Sequence, residues 1–72
     1  MSEKEKLALL EDMMELDEGT LRPETELDSL DEWDSMTKLS LIVLIDDNFG
    51  KTLKSNDIKG FVTIKDILDY MG

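Results

Sequence analysis

The sequence predicts an all-α fold, a small four-helix bundle that forms a single domain over residues 1–72. Several segments repeat apolar residues at the spacing of an amphipathic helix, and residues that cap helices stand at their ends. The chain of 72 residues is short enough that its core is modest. It contains no Cys, so no disulfide can stabilise it, and helix packing must hold the fold together.

The first predicted helix runs from about Glu3 to Leu16. Ser2, followed three residues later by Glu5, fits a capping box at its start. Gly19 lies just beyond the end, where a left-handed C-cap is expected. The apolar residues of this segment are expected in the core: Leu7, Leu10, Met13, Met14 and Leu16.

A long acidic connection follows, from about Asp17 to Trp33, without a helical period. Pro23 marks a turn or a short helical start. Three leucines spaced through the connection are expected to pin it onto the helices: Leu21, Leu27 and Leu30.

The charge of the chain is concentrated in this region. Residues 11–34 hold eleven acidic residues and one basic residue, which accounts for the whole net charge of −10. Such a concentration of negative charge disfavours binding to nucleic acid and favours binding to partners with basic surfaces. The alternative is that the acidic loop is simply exposed to solvent and has no binding role.

The segment from Trp33 to Gly50 predicts the second helix, around which the chain is organised. Asp34 is the expected N-cap, and Ser35 opens the helix with its hydroxyl near the positive end of the helix dipole. A phosphate attached there would be stabilised by the dipole and by free N–H groups. Trp33 is expected to pack on the core, with contact to an attached group or a partner as the alternative.

This helix has two apolar stripes, although a surface helix needs only one. The broad stripe is expected in the core: Leu41, Ile42, Leu44, Ile45 and Phe49. The narrow stripe lies opposite and has acidic neighbours, which indicates a docking face: Met36, Leu39 and Val43.

Two further helices complete the predicted fold. Ser55, Asn56 and Asp57 are expected to cap a brief third helix that reaches Lys59 and ends at Gly60. Between the last two helices, Phe61 and Val62 are expected to cover one end of the core. Thr63 with Asp66 resembles a capping box for the last helix. The apolar residues of that helix follow one face, which predicts packing on the first two helices: Ile64, Ile67, Leu68 and Met71.

The run Asp34-Ser35-Met36, followed by an apolar helix that closes with Phe49-Gly50, resembles the acyl carrier protein family. That family has Asp-Ser-Leu at the start of its second helix and Phe-Gly about four turns later. The Trp before Asp34 is similar to a subgroup of free-standing carriers with Trp-Asp-Ser. Asp28-Ser29-Leu30 matches the tripeptide more literally, but no apolar helix follows it, and we interpret Ser29 as a loop serine.

The resemblance implies a bundle of acyl-carrier type that bears 4′-phosphopantetheine on Ser35. A phosphopantetheinyl transferase would attach this arm from coenzyme A, using Mg²⁺. The thiol of the arm would carry acyl groups as thioesters, which a chain without Cys cannot do itself. Docking of acyl-loading and acyl-processing enzymes with basic surfaces is implied at six positions: Asp34, Met36, Leu39, Val43, Asp46 and Asp47.

Other function classes are disfavoured or remain as alternatives. A chain without His and Cys lacks the usual catalytic base, nucleophile and metal ligands, so we expect a non-catalytic carrier without a metal site. The N-terminus does not read as a signal peptide, and we expect a cytoplasmic monomer. An aminoacyl carrier of the peptidyl or D-alanyl type is one alternative. An unmodified acidic helical adaptor, with Ser35 as a plain helix-start serine, is the other.

Two departures from the family pattern indicate a specialised carrier rather than a housekeeping fatty-acid carrier. Ser40 stands where fatty-acid carriers usually have an acidic residue. Lys38 places a cation in the first turn of the second helix, where the helix dipole disfavours it. Both changes make the predicted docking helix less acidic.

Overall fold

The computed structural model describes residues 2–72, and this part of the chain contains four α-helices. They are α1 (Glu3–Met13), α2 (Ser35–Phe49), α3 (Ser55–Lys59) and α4 (Ile64–Met71). A 3₁₀ helix, Leu27–Ser29, lies within the long connection between α1 and α2. The predicted all-α class, the long loop and the short third helix are confirmed. Within the described residues, no helix has both the length and the apolar character needed to cross a bilayer.

A single hydrophobic core joins the helices. α1 packs against both α2 and α4. The four apolar residues predicted on one face of α4 are all buried, which confirms that prediction. The side chains at the centre of the core come from three helices and the long loop, and each is less than 2% exposed: Leu10, Leu27, Leu41, Ile45, Ile64 and Ile67.

The end of α1 differs from the prediction. The helix stops before Leu16, and Glu15, with φ 58°, forms the left-handed turn at its end. Gly19 also has a positive φ, 87°, but it lies further along the loop and does not cap the helix. The N–H of Leu16 donates to the Glu11 carbonyl at 2.8 Å, and the N–H of Glu15 donates to the Asp12 carbonyl at 3.1 Å. This pair of bonds is a Schellman motif, which lets the partly buried Leu16 contact the core just after the turn.

Glu11 ties the long loop to α1. Glu11 is buried, with only 5% of the residue exposed. It accepts hydrogen bonds from the backbone N–H groups of Gly19 at 2.9 Å and Leu21 at 3.0 Å. Leu21 and Leu27 are buried and Leu30 is partly buried, so the predicted pinning of the loop by leucines is confirmed.

The loop is also fixed to the segment between α3 and α4. The N–H of Leu27 donates to the Val62 carbonyl, and the N–H of Ile64 donates to the Thr25 carbonyl, both at 2.9 Å. Phe61 packs on the core as predicted. The prediction for Val62 is wrong: its backbone is engaged in this pairing, and its side chain points outward and is 63% exposed. The loop, α3 and the start of α2 are thereby held side by side.

Candidate functional site

The start of α2 is fixed by Asp34, as the sequence predicts. Asp34 is the N-cap, in extended conformation, and its Oδ1 accepts a hydrogen bond from the Thr37 N–H at 2.9 Å. The bond from Thr37 holds the pKa of the Asp34 carboxyl below its ordinary value. An ionised N-cap also faces the positive end of the helix dipole, which stabilises it further.

Ser35 is the first residue of α2 and is exposed. Its hydroxyl forms no hydrogen bond with residues 2–72, so it is available to another molecule. The position satisfies two needs of a modified serine. The backbone beneath it is rigid because the helix starts there, and the N-terminal N–H groups favour a negative group attached to it.

Ser29 lies in a different environment, although Asp28 precedes it just as Asp34 precedes Ser35. Its hydroxyl donates to the Glu26 carbonyl at 2.6 Å, within the 3₁₀ turn of the long loop. No α-helix starts there, so it lacks the aligned N–H groups found at Ser35. The interpretation of Ser29 as a serine of the loop agrees with this position.

The narrow apolar stripe of α2 is on the surface. Met36 is 78% exposed, Leu39 64% and Val43 58%, whereas Leu41 and Ile45 on the inner side are 0% exposed. The acidic residues predicted to border the stripe are exposed as well: Asp34, Asp46 and Asp47. Single exposed apolar residues need no explanation, but a continuous stripe of them indicates a contact with another molecule.

A groove of about 500 Å³ opens beside Ser35, between α2, α3 and the long loop. Its volume falls in the range of small-molecule sites. Ser35, Asp28 and the two lysines Lys38 and Lys59 are among its polar residues. Its wall is mostly apolar: Trp33, Leu39, Ile42, Ile58, Phe61 and Val62.

Trp33 has the packing role predicted for it, and its contact with an attached group or a partner stays a prediction. It is half-buried and packs against the hydrophobic core, as predicted, and it also forms part of the groove wall next to Ser35. The Nζ atom of Lys38 lies 5.7 Å from the centre of the Trp33 ring, within the range of a cation–π contact.

The far wall of the groove was not predicted from the sequence. It comes from α3 and the residues after it, chiefly Ser55, Ile58 and Lys59. The isolated apolar Ile58 in a short polar helix was the only local signal. Its role in the wall depends on where the long loop places α3, which is a non-local property.

No protein-family model matches this sequence, and neither does any curated protein sequence. Among solved structures, the fold is similar to the solution NMR structure of a holo acyl carrier protein from Geobacter metallireducens. The TM-score is 0.77 at 21% sequence identity, over 99% of this chain and 83% of that chain. The chain therefore has the four-helix fold of an acyl carrier protein.

Proposed function

We propose that this chain is a carrier protein, in which Ser35 bears a 4′-phosphopantetheine arm and the arm holds acyl groups as thioesters. The observation that carries the proposal is the placement of Ser35. Its exposed hydroxyl begins α2, directly after the Asp34 cap, between a groove and an exposed apolar stripe. The similarity in fold to a holo acyl carrier protein supports the same assignment.

The residues around Ser35 fit such an arm. The hydroxyl is free of internal hydrogen bonds with residues 2–72, and the adjoining groove is large enough for part of a small molecule. Lys38 supplies a cation beside Ser35, and Leu39 and Ile42 supply apolar surface further along α2. When bound, the arm supplies the thiol that this sequence lacks.

Attachment of the arm requires help from a partner enzyme. The Ser35 oxygen would attack the pantetheine-bearing phosphorus of coenzyme A, with release of adenosine 3′,5′-bisphosphate and formation of a phosphodiester. The hydroxyl proton must pass to a base on the transferase, because the chain contains no His that could accept it. The transferase also supplies Mg²⁺. The part of this chain is to hold the hydroxyl in place and to favour the negative phosphate.

The exposed stripe is the surface on which we expect the transferase and acyl-processing enzymes to dock. Met36, Leu39 and Val43 offer apolar contacts close to Ser35. The exposed carboxylates of Asp34, Asp46 and Asp47 lie at the two ends of the same helix, where they would attract basic surfaces. Apolar anchors between charged residues are typical of protein interfaces.

The experiment for the carrier function is an intact-mass measurement. The purified chain is incubated with coenzyme A, Mg²⁺ and a broad-specificity phosphopantetheinyl transferase. We expect the mass to rise by one phosphopantetheinyl group in the natural sequence and in Ser29→Ala, the matched control, but not in Ser35→Ala. A chain that gains no mass would be the unmodified adaptor. A gain that Ser29→Ala removes would place the site in the loop instead.

The cargo is proposed to be an acyl group in a specialised pathway. Leu39 and Ile42 give the α2 side of the groove an apolar surface, which favours an acyl cargo over a charged aminoacyl cargo there. Ser40, exposed on α2, leaves the docking helix less acidic than in fatty-acid carriers. The mass of the thioester isolated from cells would identify the cargo. Efficient turnover of the loaded chain by housekeeping elongation enzymes would contradict the specialised assignment.

A further inference from the structure

Lys38 is a cation at the start of α2, directly after the acidic connection. It lies in the first turn of α2, where a cation is disfavoured by the helix dipole. Its side chain is half-buried, and its ammonium group lies over the ring of Trp33. The contact with Trp33 therefore holds this cation at the start of α2, on the side of the groove.

Lys38 and Ser35 share one face of α2. They are three residues apart in the helix, so their side chains are neighbours, and both line the same groove. A phosphodiester on the Ser35 oxygen would put a negative charge within reach of the flexible lysine side chain. The attraction between that charge and the ammonium group, in a partly enclosed groove, would be stronger than it is in open water.

Trp33 supplies the apolar partner of this cation. Its indole stands in the groove wall on the loop side, while Leu39 and Ile42 stand on the helix side. A ligand that fits here has an anionic end near Ser35 and an aliphatic segment directly after it. A phosphopantetheine arm has this chemistry, since a branched aliphatic segment with two methyl groups follows its phosphate.

We propose that Lys38 and Trp33 form a clamp that holds the phosphate end of the arm in the groove between α2 and α3. The ammonium group of Lys38 binds the phosphodiester, and the indole of Trp33 packs against the aliphatic segment. Both act as positioning residues, and they keep the near half of the arm against the protein while no enzyme is docked. This inference rests on the proposed function at Ser35.

The test is an NMR comparison of the full chain before and after it is loaded from coenzyme A. In the loaded natural sequence, we expect nuclear Overhauser cross-peaks between the indole protons of Trp33 and the two methyl groups of the arm. The ring current of the indole should also shift these methyl resonances upfield of their positions in free coenzyme A. Lys38→Gln should lose the cross-peaks and most of the shift, and Lys38→Arg should keep both. Lys65→Gln, an exposed lysine on α4, is the control for the change in net charge.

The outcomes separate this inference from the carrier proposal. Intact mass shows first whether each variant carries the arm, and circular dichroism shows whether it is folded. A chain that takes no arm overturns both proposals. A loaded chain whose methyl resonances match those of free coenzyme A, without cross-peaks to Trp33, overturns the clamp and leaves the carrier function standing. Cross-peaks that persist in Lys38→Gln overturn the role of Lys38.

Discussion

Helices α2 and α4 both carry apolar residues at helical spacing, yet they use them differently. In α4, every residue of the apolar stripe is inside the core. In α2, Leu41 and Ile45 are inside the core, while Met36, Leu39 and Val43 stand on the opposite surface. Folding accounts for the whole apolar stripe of α4, but it leaves three of the eight apolar residues of α2 on the surface. The exposed remainder of α2 is the surface on which we propose that partners dock.

The two helices are alike in how they begin. Each starts after a residue in extended conformation, and in each an Asp carboxylate accepts hydrogen bonds from nearby backbone N–H groups. At α2 the N–H group belongs to the first turn of the helix, and at α4 the two N–H groups belong to the residues just before the helix. The difference between α2 and α4 thus does not arise from helix formation. The difference lies in the outer surface of each helix, which is apolar only in α2. Variants on the inner and outer sides of α2 test it directly.

The largest effect is expected for Leu41→Ala on the inner side of α2. Leu41 is 0% exposed, and a buried Leu→Ala change costs about 2–5 kcal/mol of unfolding free energy through lost contacts and a residual cavity. Urea unfolding at neutral pH measures this loss. The matched control is Leu39→Ala, two residues away and 64% exposed, which should change stability by less than about 0.5 kcal/mol.

These two variants also test whether the two sides of α2 differ as described. If Leu39→Ala lost as much stability as Leu41→Ala, the outer stripe would be part of the core, and its assignment to a docking surface would be wrong. A small domain has little stability to lose, so a partly unfolded Leu41→Ala sample is within expectation.

A smaller loss is expected for Gly50→Ala at the end of α2. Gly50 has φ 64°, and no atom lies within 4 Å of an added Cβ, so the cost comes from the left-handed backbone alone. That cost is about 1 kcal/mol. Gly60→Ala, at the end of α3, is the control because Gly60 has φ −83°, which any residue adopts. An equal loss in both variants would show that the left-handed conformation of Gly50 is not the source of the cost.

Val43→Ser tests whether the exposed stripe of α2 contributes to docking. Val43 belongs to the exposed stripe of α2, whereas Val62, with nearly the same exposure, lies after α3 on the other side of the groove. We expect Val43→Ser to raise the KM of the transferase several-fold, which corresponds to about 1 kcal/mol or less of docking energy. Val62→Ser should leave the KM close to its natural value. Steady-state kinetics of arm transfer measure both, and a larger effect at Val62 would move the docking surface off the stripe.

The features that the sequence predicts well are the local ones. The Asp34 cap and the one-sided stripe of α4 both depend on residues within a few positions of one another. The two stripes of α2 were also visible, because helical spacing alone separates Leu39 from Leu41.

The features that were missed depend on distant parts of the chain. The buried Glu11 reaches backbone groups eight and ten residues further on, and no local pattern marks a carboxylate for that use. Glu15 forms the left-handed turn that ends α1, although Gly19 also has a positive φ, and this turn returns Leu16 to the core. The groove beside Ser35 exists only because the long loop brings α3 next to α2, so its wall could not be read from one segment.

The smallest effect concerns the pH dependence of the two helix starts. Asp34 accepts one bond, from the Thr37 N–H, whereas Oδ2 of Asp66 accepts two, from Val62 at 2.8 Å and Thr63 at 3.2 Å. These bonds hold the pKa of each carboxyl below its ordinary value in the folded chain. The stability that each contributes is therefore present above the unfolded pKa of about 3.9, and it is lost as the pH falls through the lower folded value.

Thermal unfolding of the natural sequence, Asp34→Asn and Asp66→Asn between neutral pH and about pH 2.5 measures these contributions. Each Asn variant should melt below the natural sequence at neutral pH, and the gap should close in acid, because protonation removes the charge that the variant lacks. We expect the wider gap for Asp66, since two N–H groups depend on it. Asn is also a good N-cap residue, so the difference in melting temperature between Asp34→Asn and the natural sequence should be smaller. A gap that stayed constant down to the lowest pH would mean that hydrogen-bond geometry, and not charge, stabilises the start of each helix.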